Sequence, residues 1–104
     1  KLYFLVKKED EFIGVIDFTQ LVNKESVHMG IYSNPNINGN GKILLNKIID
    51  YSFNNLKVKR VFSEVFAEND KAYNLYKKFN FKAISEKIVN NKKVICMKLE
   101  NENR

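Results

Sequence analysis

The 104-residue sequence predicts a mixed α/β (α+β) fold in which two helices interrupt six strands. Short runs rich in Val, Ile, Phe and Tyr alternate with two longer segments of helical periodicity, a pattern typical of a sheet with packed helices. The predicted element order is β-β-β-α-β-α-β-β. This length suits one hydrophobic core, so residues 1–104 are predicted to form a single domain.

The first three strands are predicted at Tyr3–Lys7, Phe12–Phe18 and Val27–Tyr32. Polar residues 8–11 indicate a hairpin between the first two. Gly14 lies inside the second strand and indicates a bulge or a close approach of backbone. Alternation along the third strand places three apolar side chains on one face, Val27, Met29 and Ile31, and the other face takes His28, Gly30 and Tyr32.

A first helix is predicted over Lys42–Leu56 and a fourth strand over Arg60–Ala67. Residues spaced three or four apart in this helix form one apolar face. They are Leu45, Ile48, Ile49, Ser52, Phe53 and Leu56. A strand, a helix and a strand in this order form a βαβ unit, so the third and fourth strands are predicted to be parallel.

The second helix is predicted over Asp70–Phe79, with Asn69 as its N-cap. Asn80 is the predicted stop signal of this helix, because asparagine accepts the left-handed conformation that ends helices. The last two strands, Phe81–Ile88 and Lys93–Leu99, are joined by Asn90-Asn91, which favours a tight hairpin turn.

Composition excludes several classes of function. The net charge is +6, but the lysines are scattered, so nucleic acid is not a predicted partner. No apolar run is long enough to cross a membrane. One cysteine and one histidine predict neither a disulfide nor a metal site, and favour a reducing, cytoplasmic setting. The chain begins without Met inside an apolar segment, which indicates a start further upstream.

The loop after the third strand is the first candidate binding site. It contains Gly39 and Gly41 and leads directly into the first helix. The backbone N–H groups of residues 38–42 would point outward at a helix N-terminus, which favours phosphate or pyrophosphate. Without further evidence, the same residues describe an ordinary strand-to-helix connection with two turn glycines.

Two motifs resemble those of the GNAT family, the Gcn5-related N-acetyltransferases. Residues 36–41, Asn-Ile-Asn-Gly-Asn-Gly, are similar to the family's pyrophosphate loop, although Asn36 stands where Gln or Arg is usual. Residues 69–81 are similar to the family pattern Asn-x-x-Ala…Leu-Tyr-x-x-x-Gly-Phe, with Asn80 in the place of Gly. The resemblance covers nearly the whole chain and lacks the family's first strand and first two helices.

The resemblance implies acetyl-CoA as co-substrate, no metal, and a set of site residues. The residues implied in cofactor binding are Ile31, Tyr32, Asn36, Asn38, Gly39, Asn40, Gly41, Lys42, Asn69 and Lys71. Tyr76 is implied as the general acid at the CoA sulfur, the alternative being a core tyrosine. Glu64 is the candidate general base and His28 a second one; the alternatives are a solvated strand residue and a structural histidine.

Within the family, residues 3–6, 13–18, 30–32 and 71–76 are similar to the acetyltransferases of pseudaminic acid biosynthesis. That resemblance implies as substrate the 4-amino group of a UDP-linked amino-dideoxy sugar. A protein N-terminal amine or a small amine such as a polyamine remains an alternative acceptor. A non-catalytic acyl-CoA-binding module is a third possibility, and strand edges left open make a homo-oligomer a further expectation.

Overall fold

The computed structural model describes residues 2–37 and 39–103, and the predicted order β-β-β-α-β-α-β-β is confirmed. A π-helical turn and a terminal 3₁₀ turn are added to it. The elements are β1 (Leu2–Lys8), β2 (Glu11–Val22), β3 (Ser26–Ser33), α1 (Gly41–Asp50), the π turn (Tyr51–Asn55), β4 (Arg60–Phe66), α2 (Asp70–Lys78), β5 (Lys82–Val89), β6 (Lys92–Glu100) and the 3₁₀ turn (Asn101–Asn103).

Two elements differ from the sequence prediction. Strand β2 continues to Val22 instead of ending at Phe18, because a bulge after Thr19 lets Val22 pair with Ser26 at the start of β3. Helix α1 passes into the π turn, where the N–H of Leu56 donates to the carbonyl of Tyr51 at 2.9 Å. Apolar periodicity detects a helical segment but not a local change in its hydrogen bonding.

All six strands belong to one sheet with the order β1-β2-β3-β4-β6-β5. Strands β3 and β4 are parallel, as predicted, and the other neighbours are antiparallel. The parallel pairing is short: it joins Ser26–His28 to Arg60–Phe62 and then ends. Beyond these residues the two strands diverge, so the sheet is open between residues 29–33 of β3 and residues 63–66 of β4. We call this opening the fork.

Charged and backbone contacts close the other end of the fork. The backbone N–H groups of Lys59 and Arg60 donate to the carbonyl of Glu25 at 3.0 and 3.2 Å. The Arg60 side chain donates to the Glu100 carboxylate at 3.2 Å, and the N–H of Asn101 donates to the Lys59 carbonyl at 2.8 Å. These contacts fix the starts of β3 and β4 and the end of β6 beside one another.

The hydrophobic core lies on one face of the sheet. Val27, Val61 and Leu99 are neighbours on three adjacent strands, and each is fully buried. The apolar face of α1 covers them through Leu44, Leu45, Ile48 and Ile49. Apolar side chains that alternate with the core residues, such as Tyr3, Leu5, Tyr32 and Phe66, lie on the opposite face and are exposed.

The predicted helix and turn signals are confirmed. The Asn69 side chain accepts a hydrogen bond from the N–H of Ala72 at 3.2 Å and caps α2. Asn80 has φ +73° directly after the helix, and both residues of the Asn90-Asn91 turn have positive φ. None of the helices in the described ranges, 2–37 and 39–103, is both long and apolar enough to span a membrane.

Gly14 allows β2 to pass close to β3 and α1. A Cβ at this position would lie 2.7 Å from the Tyr32 carbonyl oxygen and 3.0 Å from the Leu44 side chain. We therefore expect Gly14→Ala to lower the free energy of unfolding by about 2 kcal/mol, measured by urea denaturation. Glu11→Ala, at the exposed start of the same strand, should have little effect. An unchanged free energy in Gly14→Ala would contradict the close packing described here.

Candidate active site

Two clefts meet at the fork. The first, which we call the helix-side cleft, lies between the beginnings of α1 and α2 and has a volume of about 270 Å³. The second, the fork cleft, lies between the diverging strands β3 and β4 and has a volume of about 440 Å³. Ile31 and Tyr76 line both clefts. A molecule in the helix-side cleft and a molecule in the fork cleft would therefore approach each other at these two residues.

The helix-side cleft contains most of the residues predicted to hold acetyl-CoA. The six that line it are Ile31, Gly39, Asn40, Gly41, Asn69 and Lys71. The first backbone hydrogen bond of α1 runs from the N–H of Leu44 to the carbonyl of Asn40 at 3.1 Å. The N–H groups of residues 41–43 precede this bond and have no carbonyl partner within the helix. These donors and the helix dipole favour an anionic group at this point.

Glycine is required at the two loop positions for different structural reasons. Gly39 has φ +86°, a conformation that residues with a side chain rarely adopt. Gly41 is helical, and a Cβ there would lie 3.0 Å from the Leu75 side chain of α2. A side chain at either position would therefore strain the loop or narrow the space between the two helices.

Two predicted loop residues in the described ranges, Asn36 and Lys42, do not line the cleft. Asn36 is exposed, and its N–H donates to the Asn34 side chain at 3.0 Å. The N–H of Ile37 likewise donates to the Asn34 carbonyl. Lys42 is exposed on α1 outside the cleft lining. Asn38 lies outside the described residues. The N–H groups of Asn36 and Ile37 are thus occupied within the loop, and the backbone donors open to a ligand come later in the chain than Ile37.

The fork cleft passes through the sheet. Ser63 and Glu64 are consecutive residues of β4, and Gly30 and Ile31 are consecutive residues of β3, yet all four line the cleft. Consecutive strand residues point to opposite faces, so the cleft is accessible from both sides of the sheet. The helix-side cleft opens on the core face, which leaves the opposite face as the entry for a second reactant.

Tyr76 is the side chain at the junction. It lies on the inner face of α2, is 9% exposed, and packs against Phe81 with ring centroids 5.7 Å apart. Burial raises the pKa of its phenol above the ordinary 10.0. The phenol is therefore protonated at neutral pH and can act as a hydrogen-bond and proton donor at the point where the clefts meet.

The two predicted bases lie on the opposite side of the fork from the helices. Glu64 lines the fork cleft, is about half exposed, and forms an ion pair with Lys87 at 2.6 Å. His28 also lines the fork cleft; it belongs to the last parallel pair before the fork, and its ring lies 5.1 Å from that of Phe62. Tyr32, predicted to contact the cofactor, lines this cleft and is exposed.

Three further residues of the site had not been predicted. Ser63 is 3% exposed, and its hydroxyl has no hydrogen-bond partner in the part of the chain described here. A serine between buried Val61 and Val65 is a sequence signal that could have identified it. Gly30 lies opposite Asp17, and a Cβ on Gly30 would overlap the buried Asp17 carboxylate. Lys87 forms an ion pair with Glu64, and only the strand register places it there.

The described residues contain no cluster of three or more His, Cys, Asp or Glu side chains that could hold a metal ion. Cys96 is a free thiol on β6, partly buried and paired with Glu64 across the sheet.

The divided sheet, the helix N-terminus at its glycine loop and the tyrosine between the two clefts are typical of acyl-CoA acyltransferases. The chain belongs to the acetyltransferase (GNAT) family, whose sequence model matches residues 1–81. The family resemblance of the sequence is therefore confirmed.

The chain is similar to two curated relatives from Campylobacter jejuni subsp. jejuni, both named acetyltransferase PseH. It is 45% identical to PseH of serotype O:23/36 (strain 81-176) and 41% identical to PseH of serotype O:2. Each match covers 86 residues, which is 83% of this chain and 54% of the relative. The chain thus spans about half the length of the curated relatives it matches.

Solved structures show the same architecture. The crystal structure of C. jejuni N-acetyltransferase PseH in complex with acetyl coenzyme A matches with a TM-score of 0.86 and 39% identity, over 94% of this chain and 66% of that one. The dodecameric structure of spermidine N-acetyltransferase from Vibrio cholerae matches with a TM-score of 0.87 and 24% identity, over 96% of this chain and 64% of that one. The second likeness concerns the fold alone.

The glycine loop can be tested by binding. We expect Gly39→Val and Gly41→Val each to reduce acetyl-CoA affinity by at least 100-fold, because one strains the loop and the other narrows the cleft. Calorimetric titration measures the affinity, and circular dichroism checks that each variant is folded. Asn36→Ala, in an exposed residue of the same loop, should bind almost normally. Wild-type affinity in a folded glycine variant would contradict this site.

Proposed function

We propose that this chain forms the acetyl-CoA site and reaction centre of an N-acetyltransferase that acts on the amine of a nucleotide-linked amino sugar. The observation that carries the proposal is the junction of the two clefts at Ile31 and Tyr76. One cleft has anion-binding backbone donors at its far end, and the other is open from the opposite face of the sheet. This geometry brings a long phosphorylated donor and a separate acceptor together at a buried phenol.

Acetyl-CoA is the donor that fits the helix-side cleft. The N–H groups at the start of α1 would bind its pyrophosphate, with Lys71 near a phosphate. The side-chain carbonyl of Asn69 caps α2. Its amide NH₂ remains available and would donate to the pantetheine arm. The open backbone of β3 around Ile31 would pair with the arm, because the parallel ladder with β4 ends before that residue.

The chemical step is direct attack by the amine. The amine nitrogen forms a bond to the acetyl carbonyl carbon, and the bond from that carbon to sulfur breaks. The amine loses one proton to a base, and Tyr76 donates one proton to the departing thiolate, giving an amide and the thiol of CoA. Proton exchange with solvent restores Tyr76.

Glu64 is the better placed of the two proposed bases. Both residues line the fork cleft, and Glu64 lies where the strands have separated, on the acceptor side of the sheet, with its side chain about half exposed. His28 lies at the closed end of the fork against Phe62. A water molecule could link either group to the amine, as general-base catalysis permits.

The acceptor follows from the resemblance to acetyltransferases of pseudaminic acid biosynthesis and from the likeness to PseH of C. jejuni. We propose the 4-amino group of a UDP-linked amino-dideoxy sugar as the substrate, and the cytoplasm as the setting. A polyamine or a protein N-terminal amine is the competing acceptor, and a non-catalytic CoA-binding module is the competing class.

Binding and turnover separate these functions. We expect acetyl-CoA to raise the melting temperature of the chain, and thiol release from acetyl-CoA to be fastest with UDP-linked 4-amino sugars in a panel that includes spermidine and peptides. The measurement uses a thiol-reactive dye. Stabilisation without turnover on any amine would support the binding module, and no stabilisation by any CoA species would refute the proposal.

The role of Tyr76 as proton donor can be tested by removing its phenol oxygen. We expect Tyr76→Phe to lower kcat by about 100-fold with little change in acetyl-CoA affinity, because the ring still fills the core while the donor is lost. Tyr73→Phe is the matched control, since Tyr73 lies three residues earlier on α2, outside both clefts. Equal kcat values for wild type and Tyr76→Phe would exclude Tyr76 as the acid.

A further inference from the structure

The ion pair between Lys87 and Glu64 joins strand β5 to the fork cleft. The Lys87 Nζ lies 2.6 Å from Glu64 Oε2, and the two side chains are 48% and 45% exposed. In the strand register, Lys87 pairs with Val94 and Val94 pairs with Phe66. Val94, Phe66 and Glu64 all line the fork cleft. Lys87 therefore lies at the acceptor side of the reaction centre.

A bulge in β5 determines which charge faces Glu64. The register shifts between Ala83 and Ser85, after which Lys87 lies opposite Val94. Without this extra residue, Glu86 would lie opposite Val94, since a shift by one residue turns a strand's side chains to the other face. The bulge thus places an ammonium group beside Glu64, where an unbroken ladder would place a second carboxylate.

Lys87 carries its positive charge at neutral pH. The hydrogen bond to Glu64, followed by the negative charge of Glu64, raises the pKa of Lys87 above its ordinary 10.5. Glu64 is the one Asp or Glu among the described residues that line the fork cleft, and no Lys or Arg is among them. With Lys87 beside it, the cleft presents almost no net negative charge to an incoming acceptor.

An acceptor's charge then decides how well it binds. A polyamine carries a positive charge on each amine, so its recognition benefits from a surplus of negative charge. An amino sugar linked to a nucleotide carries one amine and a negatively charged diphosphate. Lys87 repels additional cations and leaves the second class of acceptor unaffected or favoured.

We propose that Lys87 is a specificity-determining residue, which cancels the charge of Glu64 so that the site accepts a monoamine with an anionic body and rejects polyamines. This inference rests on the proposed function, because it names the acceptor class of the same reaction centre.

A charge exchange within β5 is the sharpest test. The double variant Glu86→Lys, Lys87→Glu keeps the composition and net charge of the chain and places a carboxylate beside Glu64. We expect its ratio of kcat/KM for spermidine to kcat/KM for the UDP-linked amino sugar to rise about tenfold or more over wild type. Lys87→Met should raise the ratio to a smaller extent, and Lys87→Arg should leave it unchanged.

The matched control is Lys93→Met. Lys93 forms a similar exposed ion pair with Glu86 at 3.6 Å on the same hairpin, but its partner Glu86 does not line the fork cleft, whereas Glu64, the partner of Lys87, does. The substitution Lys93→Met removes the same charge from the chain as Lys87→Met. A rise in the ratio of equal size in Lys93→Met would show a general surface-charge effect and overturn the proposal. An equal loss of kcat/KM for both acceptors in the Lys87 variants would overturn it as well, since Lys87 would then only orient Glu64.

Calorimetric binding of spermidine gives a readout that does not need turnover. We expect wild type to bind spermidine at least tenfold more weakly than the Glu86→Lys, Lys87→Glu variant, and Glu64→Gln added to that variant to reverse the gain. Equal spermidine affinities in wild type and the exchange variant would refute the role of Lys87. Absence of acetyl transfer by wild type would refute the proposed function, so the two failures are distinguishable.

Discussion

The short parallel pairing of β3 with β4 is the feature on which the rest of the molecule depends. The strands are held together over Ser26–His28 and Arg60–Phe62 and then separate. Contacts of Glu25, Arg60 and Glu100 hold the paired end closed. A sheet normally satisfies its backbone N–H and C=O groups by continuous pairing between strands. A gap in its centre is stable only where other groups, such as water or a ligand, form hydrogen bonds with the unpaired backbone. In this protein the gap is where the two clefts meet.

Each element around the fork then has a definite task. Helix α1 covers the core and presents the N–H groups of its first turn at the outer end of the helix-side cleft. Helix α2 follows β4 through a cap at Asn69 and brings Tyr76 to the junction. The β5–β6 hairpin continues the sheet on the edge of β4 that faces away from β3, and it supplies Lys87. The proposed reaction needs these parts in one place, and the βαβ connection brings them there from distant positions in the sequence.

The sequence predicted the fold because the signals are local. Apolar periodicity and the asparagines at positions 69, 80, 90 and 91 determine where the helices and hairpins begin and end. It did not predict the fork, since periodicity does not tell how far two parallel strands remain paired. Nor did it predict the π turn after Asp50 or the pairing of Lys87 with Glu64, which depends on a one-residue bulge. Local patterns identify elements, and register decides which side chains meet.

The same contrast holds for the binding loop. The glycines were predictable from their type, whereas the exposed positions of Asn36 and Lys42 are visible only in the folded loop, where the N–H of Asn36 donates to the Asn34 side chain. The backbone donors of the loop therefore have a larger share in the proposed anion site than its side chains. This agrees with the physical expectation that a helix N-terminus binds phosphate mainly through N–H groups.

Amide hydrogen exchange, measured with and without acetyl-CoA, tests the central claim most directly. If the donor binds along the fork, exchange should slow at residues 39–44 and at residues 29–33 of β3, which pair with β2 but have no strand partner on the β4 side, and should be unchanged in the β1–β2 hairpin. Protection at the loop alone would mean that the arm of the donor does not enter the fork. Protection confined to residues outside both clefts would contradict the account as a whole.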